Sequence, residues 1–275
     1  MKRSDKLFPK AYNNQNFLNS PDARTIRILS EFLEPRKRFR EEHISDTIVF
    51  FGSARVRPPE IARKNLIAVQ KSIKKNKTKF YLFKDKLEKA ESDLEMSKYY
   101  ADAMKLTYLI TKWSQSFDKR KHLVICSGGG PGIMEAANRG ARMAGGKSIG
   151  LNISLPLEQY PNKYISRKLA FEFHYFFMRK FWFVYLAKAM VMFPGGFGTF
   201  DETFEVLTLL QTKKVKKPLP VVLYGEKYWR RIIDFEEMVR LGTIARKDLQ
   251  SFKFFNTPED TFNYLRTRLS GVFSK

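Results

Sequence analysis

The stretch His122-Leu123-Val124-Ile125-Cys126-Ser127-Gly128-Gly129-Gly130-Pro131-Gly132-Ile133-Met134-Glu135 reads as three elements in succession. A short, nearly all-apolar run forms a strand, the glycines form a turn, and Ile133 opens a helical pattern. A strand with apolar residues on both faces has to be covered on both faces, which is the condition of a parallel sheet flanked by helices.

The same order recurs along the chain. Short apolar runs occupy Thr47–Phe51 before Gly52, Ser148–Asn152, Leu169–Phe173, Ala189–Phe193 before Gly195, and Pro220–Leu223 before Gly225. Helical patterns fit Ser97–Phe117, Ile133–Met143, Phe176–Ala187, Thr199–Gln211 and Tyr228–Leu241. A last helix starts at Thr257-Pro258-Glu259-Asp260, with Thr as N-cap and Pro at the first helical position. The pattern predicts an α/β fold, a doubly wound (Rossmann-like) parallel sheet with helices on both faces. Residues 1–46 show weaker periodicity and read as an N-terminal extension with one helix around Ala23–Leu33, packed on the core or mobile. Residues 47–275 read as the domain itself.

Two glycine loops are candidate ligand sites. In the first, Gly128 to Gly132, glycines let backbone amides approach an anion while the following helix dipole points at it. Position 133 is Ile, so the dinucleotide fingerprint is absent. The second, Phe193-Pro194-Gly195-Gly196-Phe197-Gly198-Thr199-Phe200-Asp201-Glu202, has the same strand, loop and helix order. Two such loops at strand carboxyl ends would line the crevice where α/β proteins bind ligands. A structural alternative stays open for Glu202, because Thr199-x-x-Glu202 also spells a capping box. A loose Walker A match at Ala141–Ser148 closes a helix and enters a strand, the reverse of a P-loop, and reads as a C-cap turn.

Composition bounds the function. The chain has 275 residues, 43% of them hydrophobic and 25 of them Phe, so it can bury a core. Its longest apolar stretch, Phe181 to Phe193, is broken by Lys188 and is too short for the ~20 residues of a membrane span. The first residues, Met1-Lys2-Arg3-Ser4-Asp5-Lys6, lead into no apolar h-region, and a cytoplasmic protein with no membrane partner is expected. One cysteine, Cys126, and three histidines in no metal-binding spacing point to no disulfide and no metal. The net charge of +23 is diffuse: +3 over residues 1–46, +10 over 47–125 and +10 over 126–275. Its densest cluster, Lys71 to Lys89, is mostly lysine, a residue of solvated faces rather than of base reading, and no nucleic-acid partner is expected.

Taken together, three motifs resemble the Lonely Guy (LOG) family of phosphoribohydrolases, often mislabelled lysine decarboxylases. They are Gly128-Gly129-Gly130-Pro131-Gly132-Ile133-Met134-Glu135-Ala136-Ala137-Asn138, Tyr175-Phe176-Phe177-Met178-Arg179-Lys180, and Pro194-Gly195-Gly196-Phe197-Gly198-Thr199-x-x-Glu202. The likeness runs from about Thr47 to Arg266 and takes in Phe51–Arg55 and Gly150–Ile153. It implies hydrolysis of the N-glycosidic bond of a nucleoside 5′-monophosphate, AMP or a cytokinin riboside 5′-monophosphate, to free base and ribose 5-phosphate. It also implies a homodimer with the site near the subunit interface, and no cofactor. The family's catalytic pair falls on Arg179 and Glu202. Its phosphate loop falls on Gly195, Gly196, Gly198 and Thr199, with Gly129, Gly130, Ser53 and Lys180 as further nucleotide-binding positions. Shorter members read Met-His-x-Arg-Lys where this chain reads Phe176-Phe177-Met178-Arg179-Lys180, as in a longer bacterial subgroup. The extension and the Lys71–Lys89 insert have no counterpart in the short members.

The chemistry points the same way. Departure of a base from C1′ builds positive charge on the ribose, which a carboxylate such as Glu202 stabilises while orienting water. Arg179 stays protonated and so orients substrate rather than acting as a base. Pyridoxal chemistry would need a Schiff-base lysine, and no lysine is singled out for that role. Two other classes remain as alternatives, a non-catalytic nucleotide sensor and a basic nucleic-acid-associated protein.

Overall fold

The computed structural model describes residues 9–75, 81–118, 121–154 and 160–273. Among these, the strands are β1 Asp46–Phe51, β2 Leu123–Ser127, β3 Ser148–Ile153, β4 Ala170–Phe173, β5 Ala187–Met192, β6 Val221–Tyr224 and β7 Phe252–Phe255. They form one sheet in the order β4-β3-β2-β1-β5-β6-β7, and every pairing is parallel. The helices are α1 Gln15–Leu18, α2 Arg24–Glu41, α3 Pro59–Lys75, α4 Lys84–Ser114, α5 Ile133–Met143, α6 Phe176–Tyr185, α7 Phe197–Gln211, α8 Glu226–Ile232, α9 Phe235–Arg240 and α10 Pro258–Phe273. The expected doubly wound α/β sheet is what the chain forms.

Alternation along the strands sorts the side chains into two cores. Ile48 and Phe50 of β1, with Ala189 and Val191 of β5, join Leu106 and Ile110 of α4, Ile133 and Ala137 of α5, and Leu265 of α10. Val49 and Phe51, with Met190 and Met192, face the other way onto Phe39 of α2, Trp182 of α6, Val206 of α7 and Trp229 of α8. Both faces are therefore dry, as the apolar runs require. From β1 the chain builds outward through β2 to β4, then returns to the other side of β1 for β5 to β7. The order of strands reverses between β1 and β5, and that is where such sheets hold ligands.

The structure departs from the sequence expectations at several boundaries. Helix α4 starts at Lys84 rather than Ser97, and α3 and β7 were not anticipated. The single helix expected over Tyr228–Leu241 is two, because Asp234 caps α9 by accepting the Glu237 amide at 2.9 Å. Lys71, Lys74, Lys75, Lys84, Lys86 and Lys89 lie exposed at the end of α3 and the start of α4, and residues 76–80 between them fall outside the described residues. The N-terminal helix runs to Glu41, further than Leu33, and packs on the sheet through Phe39. The Walker-like stretch is a helix terminus, with the Gly146 amide donating to Ala141 and the Gly145 amide to Arg142. No helix of the described residues is long and apolar enough to cross a membrane.

Candidate active site

The switch point is stitched together by main chain. Phe193 donates its amide to Phe51 at 2.9 Å and Ser53 donates to Pro194 at 3.0 Å, so the loops after β1 and β5 form a continuous floor. The first glycine loop joins them, as Ile133 donates its amide to Ser53 at 3.1 Å. Gly132 makes that approach possible: its φ is +70°, and a Cβ there would meet the Ser53 carbonyl at 2.3 Å. Over this floor opens a cavity of about 780 Å³.

Helix α7 points its N-terminus into the cavity. Its N-cap is Gly196, whose carbonyl takes the Phe200 amide at 3.1 Å. The amides of Phe197, Gly198 and Thr199 belong to the first turn, where no intrahelical acceptor exists. Gly195, Gly196, Gly198 and Thr199 all line the cavity, and no atom of the described residues lies within 4 Å of where a Cβ on Gly196 or Gly198 would stand. The Tyr228 hydroxyl holds the loop from behind, donating to the Gly195 carbonyl at 2.5 Å. The result is a ring of free backbone donors at the positive end of a helix dipole, suited to a phosphate.

This start also settles the alternative for Glu202. The helix begins at Phe197, two residues before Thr199, and no side chain caps it. Thr199 is already inside the helix, so the capping-box reading is overturned. Glu202 instead sits one turn into α7, 6% exposed, facing Arg179 of α6. The Arg179 Nη2 is 3.4 Å from the Glu202 Oε1. Its guanidinium carbon lies 5.2 Å from the Phe176 ring centre and 5.5 Å from that of Phe183.

Burial raises the Glu202 carboxyl to about 7, against the opposing pull of Arg179 and Lys180. Burial also lowers Arg179 from its ordinary value, opposed by Glu202 and Asp201. Among the described residues lining the cavity, Glu202 is the one acid, and Arg55 and Arg179 are the cations. Apolar surface comes from Met134, Ile153, Phe176, Phe183 and Ile232. A carboxylate poised near neutrality beside a fixed cation, one helical turn from an anion seat, can stabilise a developing cation on a phosphorylated substrate. Among the described residues, no group of three or more His, Cys, Asp or Glu could hold a metal ion.

Of the residues singled out in the sequence, Arg179, Glu202, Gly195, Gly196, Gly198, Thr199 and Ser53 meet at this cavity. Lys180 does not line it: its ammonium pairs with Asp201 at 2.7 Å and Glu205 at 3.2 Å, tying α6 to α7. Gly129 and Gly130 are buried behind the lining, their carbonyls both accepting from the Asn162 side-chain amide at 3.0 Å. Gly128 takes their place on the wall. Sequence reasoning did not single out Asn152, Arg55 or Tyr228 as site residues. Asn152 and Arg55 lie in stretches that carried the resemblance, whereas Tyr228 follows β6 with no motif around it.

Comparison with known proteins bears on this site. Residues 134–265 match the family model described as "Possible lysine decarboxylase". The pyrimidine/purine nucleotide 5′-monophosphate nucleosidase of Escherichia coli (strain K12) is 31% identical over 139 residues, 46% of this chain and 30% of the relative. The chain thus spans less than a third of the length of the curated relatives it matches. Among solved structures, the molybdenum cofactor binding protein from Rippkaea orientalis has 19% identity and a TM-score of 0.44, covering 62% of this chain and 86% of that one. The Moco carrier protein from Chlamydomonas reinhardtii has 13% identity and a TM-score of 0.46, covering 82% of this chain and 99% of that one.

Proposed function

From the match of residues 134–265 to this family model and the motifs that resemble the LOG family, we infer that the protein hydrolyses the N-glycosidic bond of a nucleoside 5′-monophosphate in the cytoplasm. The products are free base and ribose 5-phosphate, with a purine nucleotide, AMP or a cytokinin riboside 5′-monophosphate, as substrate. The observation that carries this reading is the Arg179–Glu202 pair buried in the same cavity as the open N-terminus of α7. The E. coli nucleosidase named above supports a nucleotide as substrate class.

In this reading the 5′-phosphate accepts the first amides of α7, and the ribose lies over Glu202. Water adds at C1′ as the C1′–N bond breaks with its electron pair leaving on the base. Ionised Glu202 stabilises the positive charge on the ribose and orients the water, taking the proton that then passes through solvent to the nitrogen of the departing base, so that free base is released and the carboxylate restored. Arg179 steadies the substrate from the leaving side, and its fixed charge is held in place by the rings of Phe176 and Phe183. Lysine decarboxylation, which the family description names, would need a Schiff-base lysine, and no lysine is among the described residues lining the cavity. The reading includes a homodimer, for which Phe177, Phe181 and Tyr185 of α6 and Phe204 of α7 supply exposed apolar surface beside the site.

The test is incubation with a panel of purine and pyrimidine nucleosides and their 5′-monophosphates, with free base followed by chromatography. Release from AMP but not adenosine is expected. Equal rates on nucleoside and nucleotide would remove the role given to the α7 terminus.

A further inference from the structure

The N-terminal helix reaches the candidate active site through one side chain. Glu31 of α2 accepts the His174 amide at 2.7 Å on Oε1 and the Tyr175 amide at 3.2 Å on Oε2. Its carbonyl accepts Trp182 Nε1 at 3.0 Å. Tyr175 is the N-cap of α6 and has no side-chain cap of its own. The first amides of a helix lack internal acceptors and carry the positive end of its dipole, so a carboxylate from another element is well placed there.

The contact continues inward. The Tyr175 carbonyl, on the residue Glu31 holds, accepts the amide of Arg179 at 3.2 Å and that of Met178 at 3.1 Å. Two hydrogen bonds in series therefore join Glu31 to the main chain of Arg179. Aromatic packing fixes the rest of the interface: Phe32 lies 5.5 Å from Phe181 and 5.9 Å from Trp182, and Phe39 lies 5.3 Å from Trp182. At the far end of α2, Arg38 donates to the Ala170 carbonyl at 2.9 Å and covers the Phe171 ring at 3.8 Å. The extension is thus clamped to both α6 and the edge strand β4.

We propose that Glu31 is a positioning residue for Arg179, so that the N-terminal extension sets the geometry of the catalytic pair without touching substrate. The inference rests on the nucleotide-hydrolase reading of that pair. A group held by secondary contacts matters because a misplacement of about 1 Å at a reacting centre costs on the order of a hundredfold in rate.

The experiment compares wild type, Glu31→Gln and Glu31→Ala. Gln is isosteric and keeps one of the two acceptors, so kcat is expected to fall about threefold in E31Q and tenfold or more in E31A, with KM changed less than about twofold. The acid limb of the pH–rate profile should move upward in the same order as Arg179 draws away from Glu202. The other charged groups acting on that carboxylate, Lys180, Glu205 and Asp201, are untouched. A purely structural Glu31 would lower Tm but leave kcat and the profile of the folded enzyme unchanged, which would overturn the proposal. If E31A does not fold, E31Q decides. A readout independent of turnover is the ¹H–¹⁵N resonance of Arg179 Nε, which is buried without a partner among the described residues. It should shift in E31Q, and an unmoved resonance overturns the proposal. A wild type that releases no base from any nucleotide defeats the functional reading alone, and the Arg179 resonance still tests the positioning role.

Discussion

Arg179 and Glu202 are both buried and oppositely charged, yet their nearest atoms stand 3.4 Å apart, at the long limit of a hydrogen bond. The Arg179 Nε has no hydrogen-bond partner among the described residues. The pair is held by the helices that carry it more than by its own attraction, which leaves donors on one side and lone pairs on the other free for a third molecule.

Removing either charge should therefore act on turnover. Glu202→Gln and Arg179→Ala are each expected to lower kcat about a hundredfold or more, the ~3 kcal/mol of a lost electrostatic donor, with the fold retained. Because the ionised carboxylate is the working form in the proposed reaction and burial lifts it to about 7, kcat/KM should rise with pH through that value and then level. A near-wild-type rate for E202Q in a steady-state assay would return Glu202 to a packing role.

The same carboxylate should weaken the native state as it ionises. Its unfolded value is near 4.5 and its folded value about 7, so between them the folded protein binds the extra proton and stability falls as pH rises. The full effect is at most about 3 kcal/mol, reached above the folded value. E202Q has no such dependence. Its Tm relative to wild type should climb from pH 5 to pH 8, and a flat difference in thermal melts across that range would show the carboxyl unshifted.

Gly198→Ala separates stability from binding. The added methyl meets no atom of the described residues within 4 Å and replaces a glycine in the first turn of a helix, a gain of about 0.5 kcal/mol. It also occupies space beside the amides offered to a phosphate. KM for AMP is expected to rise about tenfold, the weight of one hydrogen bond to a charged group. Unchanged KM in a variant of raised Tm would place the phosphate elsewhere.

Charge is expected to act at a distance rather than through a nucleic-acid site. The excess of +23 is spread along the chain, and the lysines of Lys71–Lys89 that are described are exposed. Binding of labelled RNA and DNA should fade by about 150 mM salt, as counterion release dictates for non-specific contacts. Sub-micromolar affinity there in a fluorescence-anisotropy titration, lost on neutralising Lys71–Lys89, would establish a nucleic-acid function instead.

The sheet was legible because its strands announce themselves. Six runs between Thr47 and Leu223 are apolar on both faces and most end near glycine, and each became a strand within two residues of its expected ends. β7 escaped because Phe252-Lys253-Phe254-Phe255 is a four-residue edge strand with a charged residue inside it. α3 and the first turns of α4 escaped because lysines dilute their apolar stripe; of α3 only Ala62 is buried. At the site, the glycine motifs located the cavity, but a motif does not say which of its residues face inward. Lys180 sits next to Arg179 and turns away to two acids, while Gly129 and Gly130 lie behind Gly128. Helix phase and the Asn162 hydrogen bonds decide those orientations, and both depend on residues distant in sequence.

If the proposed activity holds, the seam between β1 and β5 has a consequence for how its substrate choice diversifies. The floor beneath the proposed phosphate seat is made of peptide groups, Phe193 to Phe51 and Ser53 to Pro194, which any substitution outside glycine and proline leaves chemically unaltered. The walls above it are side chains: Met134, Ile153, Phe176 and Ile232. In the proposed reading, anchor and selector are thus written in different parts of the polypeptide, so an ancestral gene could exchange one nucleobase for another by single wall mutations while its grip on the sugar phosphate persisted.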